Sequence, residues 1–197
     1  MPYKPFFFIL LTAVWISGCT LAKVDVEVLS ERTALENQVL GTYNALDNEM
    51  LLAASVRGVD ARGNIRKPPI QSGEQKDVLT AMRLTAFHED DVQLFKKLGW
   101  VGENNDGLLS PFPMDMTTVP EDLAETAGRF TKEEFDYILS QVHDSRMVIM
   151  KRVIALNEDL TDEDFPKIKK VFAKMNAEKL NPGEKYQTTD GIWLTKP

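Results

Sequence analysis

Four short signals divide this chain and leave it few folds other than helices packed side by side. Thr33 with Glu36, Ser72 with Gln75, Thr131 with Glu134, and Thr161 with Asp164 each set a hydroxyl residue three positions ahead of an acid or amide. That spacing lets the hydroxyl accept from a free backbone amide of the first turn while the later side chain reaches back to the hydroxyl residue's own amide. Each pair opens a run of apolar residues at helical period.

The first run, about residues 30–58, carries Leu35, Val39, Tyr43, Leu46, Met50 and Ala53 or Ala54, with Gly58 as its stop. At 1.5 Å per residue a helix of about 25 residues spans ~38 Å, and its apolar stripe calls for a partner helix. The second, residues 72–98, carries Val78, Leu79, Met82, Phe87, Leu94, Phe95 and Leu98, with His88-Glu89-Asp90-Asp91 as the point where it would break in two. The third carries Phe135, Ile138, Leu139, Val142, Ile149, Met150, Val153 and Leu156, and residues 157–161 make the turn that follows. The fourth carries Phe165, Ile168, Val171, Phe172, Met175 and Leu180; Pro166 is acceptable because it lies in the first turn, and Asn181-Pro182-Gly183 ends the run.

Between these runs, residues 59–73 hold Gly63-Asn64, Pro68-Pro69 and Ser72-Gly73 and read as a loop. Residues 99–128 read as a long irregular stretch with Gly102, Gly107, Pro111, Pro113 and Pro120. Connections of that length inside a domain are usually functional or mobile. Phe112, Met114, Met116 and Val119 give this stretch an apolar character, expected to fold back over the helices, with an exposed partner-binding surface as the other reading. The tail pairs Lys185-Tyr186-Gln187 with Ile192-Trp193-Leu194 across Asp190-Gly191, a β-hairpin that Trp193 is expected to pack onto the helices. The expected fold is mainly α: four to five helices forming a helical hairpin or bundle, with a small C-terminal β-hairpin, in a single domain over residues 31–197.

Ahead of that domain, Lys4 precedes an apolar run over residues 6–16 that ends in Ile16-Ser17-Gly18-Cys19. The run is too short for a bilayer-spanning helix, which needs about 20 apolar residues, and has the form of a secretion signal. A lone cysteine directly after it is what a bacterial lipoprotein precursor presents for lipidation and cleavage. Residues 1–18 are thus expected to be a signal peptide and Cys19 the lipidation site, with three acyl chains that fix the protein to a membrane. Thr20 rather than Asp after the cysteine favours the periplasmic face of the outer membrane. Residues 23–28 alternate valine with charge, so residues 19–30 form a half-buried strand or the extended tether, about 35 Å at ~3.5 Å per residue. With its one cysteine lipidated, the chain has neither a disulfide nor a reactive thiol.

Without residues 1–18 the chain keeps 22 basic and 30 acidic residues, a net charge of −8. That balance argues against nucleic acid as a partner. Lys167, Lys169, Lys170, Lys174 and Lys179 are a local exception that reads as a solvated helix face.

Chemistry-bearing patterns are sparse. His88 and His143 are the two histidines, and a zinc site built from them with Asp91 and Asp144 requires distant helices to converge. Neither a nucleophile elbow nor a phosphate loop is present, and the calcium-loop pattern fails at its glycine when counted from Glu103 or Asn157. No cofactor is expected. In Gly102-Glu103…Asp106-Gly107 two readings stay open: a mobile acidic loop that binds a partner or cation, or tight turns at the glycines with Glu103 capping local amides.

The segment Lys97-Leu98-Gly99-Trp100-Val101-Gly102-Glu103-Asn104-Asn105-Asp106-Gly107-Leu108-Leu109 resembles an element of the YdbL-like family of small exported bacterial proteins. The similarity continues through Arg146, Asn157, Pro182-Gly183-Glu184 and Asp190-Gly191-Ile192-Trp193-Leu194-Thr195-Lys196, covering residues 92–197. Leu108-Leu109 stands where that family has Tyr-Leu. The resemblance implies an exported, mostly helical protein associated in some members with envelope lipid-homeostasis partners, and it transfers no catalytic residue. The leading expectation is a lipid-anchored envelope lipoprotein acting as a non-enzymatic adaptor or assembly factor, its partner site including Gly102, Glu103, Asp106, Gly107 and Trp193. The alternatives are a metal-binding or hydrolytic enzyme using His88 and the carboxylates beside it, and a lipid carrier, which needs an apolar cavity.

Overall fold

Each of the four capping signals starts a helical segment. The structure, a computed structural model, describes residues 32–55, 62 and 72–197. The expected signal peptide of residues 1–18, Cys19, the expected strand or tether of residues 19–30 and nearly all of the expected loop of residues 59–73 lie outside the described residues. Helix α1, Ala34–Ser55, begins where Glu36 N–H donates to Thr33 Oγ1 at 3.2 Å and Thr33 N–H donates to Glu36 Oε2 at 3.0 Å. Helix α2, Gly73–Phe87, has the same reciprocal pair at Ser72 and Gln75. After the break, α3 is Glu89–Lys97, with three acids in its first turn and two lysines in its last, each at the end of the helix dipole that favours it. The break is mild: His88 leaves helical geometry, yet its N–H still donates to Leu84 O at 3.1 Å.

The stretch expected to be irregular is instead a chain of short elements. Gly99, at φ +70°, closes α3, its amide donating to Lys96 O while Trp100 N–H donates to Phe95 O. Strand β1, Val101–Glu103, and strand β2, Leu109–Pro111, then pair antiparallel. A 3₁₀ turn, Met116–Thr118, and a two-turn helix α4, Glu121–Ala127, complete the stretch. Elements of three to seven residues are too short to reveal a period, so only their turn residues were visible.

Thr131 and Glu134 form the box that opens α5, Lys132–Ala155. At the fourth signal the Asp164 carboxylate accepts from the Thr161 amide and hydroxyl, holding a 3₁₀ turn, Asp162–Asp164, that runs into α6, Phe165–Glu178. Strands β3, Lys185–Gln187, and β4, Trp193–Thr195, form the expected hairpin, with the second strand one residue later than expected and Gly191 at φ +84° in the turn. The hairpin does not stand alone. β3 lies parallel to β1, with Gly102 opposite Lys185 and Glu103 opposite Tyr186, giving a four-stranded sheet of order β2-β1-β3-β4. The fold is mainly α with a small C-terminal sheet element, as expected, with six α-helices among the described residues rather than four or five.

Two apolar clusters fill the interior, and α5 runs through both. Its first half gives Phe135, Ile138, Leu139 and Val142 to a cluster with Phe95, Trp100, Val101 and Leu109. Its second half gives Ile149, Met150, Val153 and Ile154 to a cluster with residues of α1, α2 and α6. Met114 and Val119 pack against the first cluster as expected, whereas Met116 stays exposed. Trp193 departs from expectation: its ring meets Phe112 edge-on at 5.0 Å and lies over the backbone of Gly102, so it covers the sheet rather than docking the hairpin onto helices. Among the described residues no helix is long and apolar enough to cross a membrane.

Candidate functional site

Three polar residues occupy positions on apolar helical stripes, each four residues after a buried one: Lys96 after Val92, Arg146 after Val142, Asn176 after Phe172. Residues four apart share a helix face, so all three side chains turn inward. They meet on Glu103, the last residue of β1, which is 1% exposed. Lys96 Nζ lies 2.8 Å from Oε1. Arg146 grips both oxygens, Nη1 to Oε2 at 2.6 Å and Nη2 to Oε1 at 3.0 Å, and Asn176 Nδ2 donates to Oε2 at 3.1 Å.

The electrostatics follow from that geometry. Burial opposes the charged form of Glu103, but the Arg146 guanidinium and the Lys96 ammonium outweigh it and hold the carboxyl down to about 2. Arg146 is raised above its ordinary value: its own burial works against the charge, and the Glu103 carboxylate more than compensates. Glu103 therefore stays ionised at any physiological pH and has no proton to exchange near neutrality. The reading in which it caps local amides is corrected: its partners are side chains from α3, α5 and α6.

Gly107 does take a glycine-only turn, at φ +74°. A Cβ there would lie 2.8 Å from Phe172 Cβ, and its carbonyl accepts from Arg146 Nη1 at 3.1 Å, so the turn is clamped between α6 and the ion cluster. Gly102 is not a turn residue. It sits in β1 because a Cβ would come 2.6 Å from Trp193 Cζ3. Asp106 is half-exposed and faces Lys169 and Lys170 at 3.7 and 3.5 Å, pairs worth little in solvent. Glu103 and Gly107 thus meet at one point, Gly102 and Trp193 meet at another on the sheet, and Asp106 lies outside both.

The histidine set is not assembled. His88 Nδ1 lies 3.4 Å from Asp91 Oδ2 on its own helix turn, and His143 Nε2 lies 2.6 Å from the Leu109 carbonyl oxygen. Asp144 points to solvent. No three His, Cys, Asp or Glu side chains come together at metal-binding distance among the described residues.

Beside Glu103 a cavity of about 280 Å³ opens between α1, α2, α3, α5 and α6. Its lining includes the apolar Val142, Ile149, Phe172 and Met175 and the charged Lys96, Glu103 and Arg146. Lys179 and Tyr43 also line it, with Lys179 Nζ 5.6 Å from the centre of the Tyr43 ring. Neither Lys96 nor Asn176 was singled out from the sequence. The available signal was a polar residue interrupting an apolar stripe, which marks a buried partner without saying which one. Against protein-family models, curated proteins and solved structures, the chain has no match.

Proposed function

We propose that this chain is a lipid-anchored lipoprotein of the bacterial envelope, tethered through Cys19 at the periplasmic face of the outer membrane, and that its helical body serves other envelope proteins as an adaptor or assembly factor without catalysing a reaction. The observation that carries the reading is the single cysteine of the chain directly after Ile16-Ser17-Gly18 and a short apolar run. The interior chemistry supports a non-enzymatic role over a hydrolytic or metal-binding one. Glu103 is matched by four donor contacts and held as a carboxylate, while His88 is engaged by Asp91 and His143 by the Leu109 backbone. A general base needs a pKa near working pH, and Glu103 lies far below it.

We read the relationship to the YdbL-like family in the same way. Among the residues that carry the resemblance, Glu103, Gly107 and Arg146 converge on one cluster, while Gly102 and Trp193 meet on the sheet, which supports structural roles for those short motifs.

Mass spectrometry of the mature N-terminus is expected to find acylated Cys19, and Cys19→Ala is expected to leave the membrane fraction. A Cys19→Ala protein that still fractionates with the outer membrane overturns the anchor. Crosslinking in whole cells is expected to recover the same envelope protein repeatedly from the wild type and to lose it from Cys19→Ala; recovery of no envelope protein counts against the adaptor role.

A further inference from the structure

We propose that the cavity beside Glu103 is a binding site for a small monocarboxylate whose hydrocarbon part lies along Val142, Ile149, Phe172 and Met175 and whose carboxylate meets Lys96 and Arg146. Three features of the cavity carry this. First, its charges do not cancel: Lys96, Arg146 and Lys179 line it against only Glu89 and Glu103, leaving one positive charge in excess. Second, Lys96 is under-used. Its side chain is 8% exposed, an ammonium has three donors, and Glu103 Oε1 is the one acceptor it meets among the described residues. A buried cation with spare donors facing a cavity is stabilised by an acceptor that enters it. Third, the lining offers both kinds of contact: the side chains of Val142, Ile149, Phe172 and Met175 supply carbon, and Lys96 and Arg146 supply positive charge.

Those features also select among anions. One excess positive charge suits a monoanion, and the nearby Glu89 and Glu103 carboxylates repel a dianion such as hydrogen phosphate, a large share of inorganic phosphate at neutral pH. The apolar lining gives inorganic ions nothing to bury but rewards a short hydrocarbon chain, at about 25 cal/mol per Å² removed from water. The volume, about 280 Å³, sits at the small end of ligand pockets and limits the guest to a short chain. Tyr43 and Lys179 also line the cavity, the Tyr43 ring edge-on to Phe172 at 5.9 Å. The proposal does not depend on the lipid anchor or on an envelope partner.

Calorimetric titration of hexanoate into the purified full chain at neutral pH tests it, with hexanol, hexylammonium and inorganic phosphate as the other probes. Hexanoate is expected to bind one to one, and the other three not to bind. Lys96→Met is expected to weaken hexanoate at least about tenfold. Thr85→Met lines the same cavity from α2 without touching the ion cluster; it is expected to abolish binding while leaving the melting temperature within a few degrees of wild type. That second variant keeps the test valid if Lys96→Met fails to fold. No heat with hexanoate, equal binding of hexanol or hexylammonium, binding of phosphate alone, or hexanoate binding undiminished in folded Thr85→Met overturns the proposal.

Discussion

The two apolar clusters at either end of α5 solve the same problem with different materials. One draws on α1, α2 and α6 together with the second half of α5, all helices of 14 to 24 residues, and is filled mostly with aliphatic side chains such as Val39, Leu46, Met82, Met150, Ile168 and Met175, with Phe172 as its one buried ring. The other is assembled from α3, β1, β2 and α4, none longer than nine residues, with the first half of α5. It is aromatic: Phe95 meets Phe130 and Phe135 edge-on, both at 4.9 Å, and stacks with Trp100 at 6.0 Å. Long helices present enough stripe for flexible aliphatic side chains to bury a core between them. Elements of three to nine residues are not stable alone, and large rings give each of them more buried area per residue. Between the clusters α5 places Arg146, after Val142 of one and before Ile149 of the other, so the Glu103 cluster sits at their seam.

The largest effect is expected from removing an aromatic anchor. Phe135→Ala deletes a fully buried ring and is expected to cost about 4 kcal/mol in urea unfolding, with loss of the near-ultraviolet signal of the tryptophans. Next comes the seam: Glu103→Gln leaves two buried cations without their counterion and is expected to cost about 3 kcal/mol.

The same seam gives a pH dependence whose direction follows from Glu103. Its folded-state value of about 2 lies below the ordinary 4.5, so the unfolded chain takes up the proton first and the stabilisation is complete above about pH 5. It should fall away as pH drops from the ordinary value toward 2, by about 3 kcal/mol in all, and Glu103→Gln should lack that part of the slope. Identical acid profiles for the two proteins would remove the seam from the account of acid stability. A smaller loss, about 2 kcal/mol, is expected for Gly107→Ala, which must hold an L-residue at φ +74° with its Cβ pressed on Phe172. Smallest is Met150→Leu in the aliphatic cluster, expected below about 1.5 kcal/mol because volume is kept and neighbouring side chains can adjust. If Met150→Leu costs as much as Phe135→Ala, the contrast between an adaptable and an anchored core fails.

Legibility in the sequence followed element length. The four capping pairs and their apolar stripes placed α1, α2, α5 and α6 to within a few residues, and the cluster His88-Glu89-Asp90-Asp91 marked the region of the break between α2 and α3, which falls at His88. Those signals are local, each resting on side chains within one turn of each other. Residues 99–128 look irregular in the sequence, because β1, β2 and α4 repeat nothing long enough to be seen. Both strands of the hairpin are legible but not the sheet they join, since the parallel pairing of β1 with β3 links residues more than eighty positions apart. At the candidate site Glu103 and Gly107 stand out in the sequence, but the partners of Glu103 do not. Lys96 and Asn176 do not stand out, because a polar residue on an apolar stripe is ambiguous until its partner is known.

What the sequence alone determined, then, is everything that rests on neighbours along the chain: where helices start, which face of each is apolar, where α2 gives way to α3, and the expectation of a lipid on Cys19. The tertiary structure decided the rest. It alone set Lys96, Arg146 and Asn176 from three helices around one buried carboxylate, and it alone left a cavity with a positive charge to spare. A charge in the interior is tolerable only if groups distant in sequence arrive to match it, and that arrival is a property of packing rather than of any single segment.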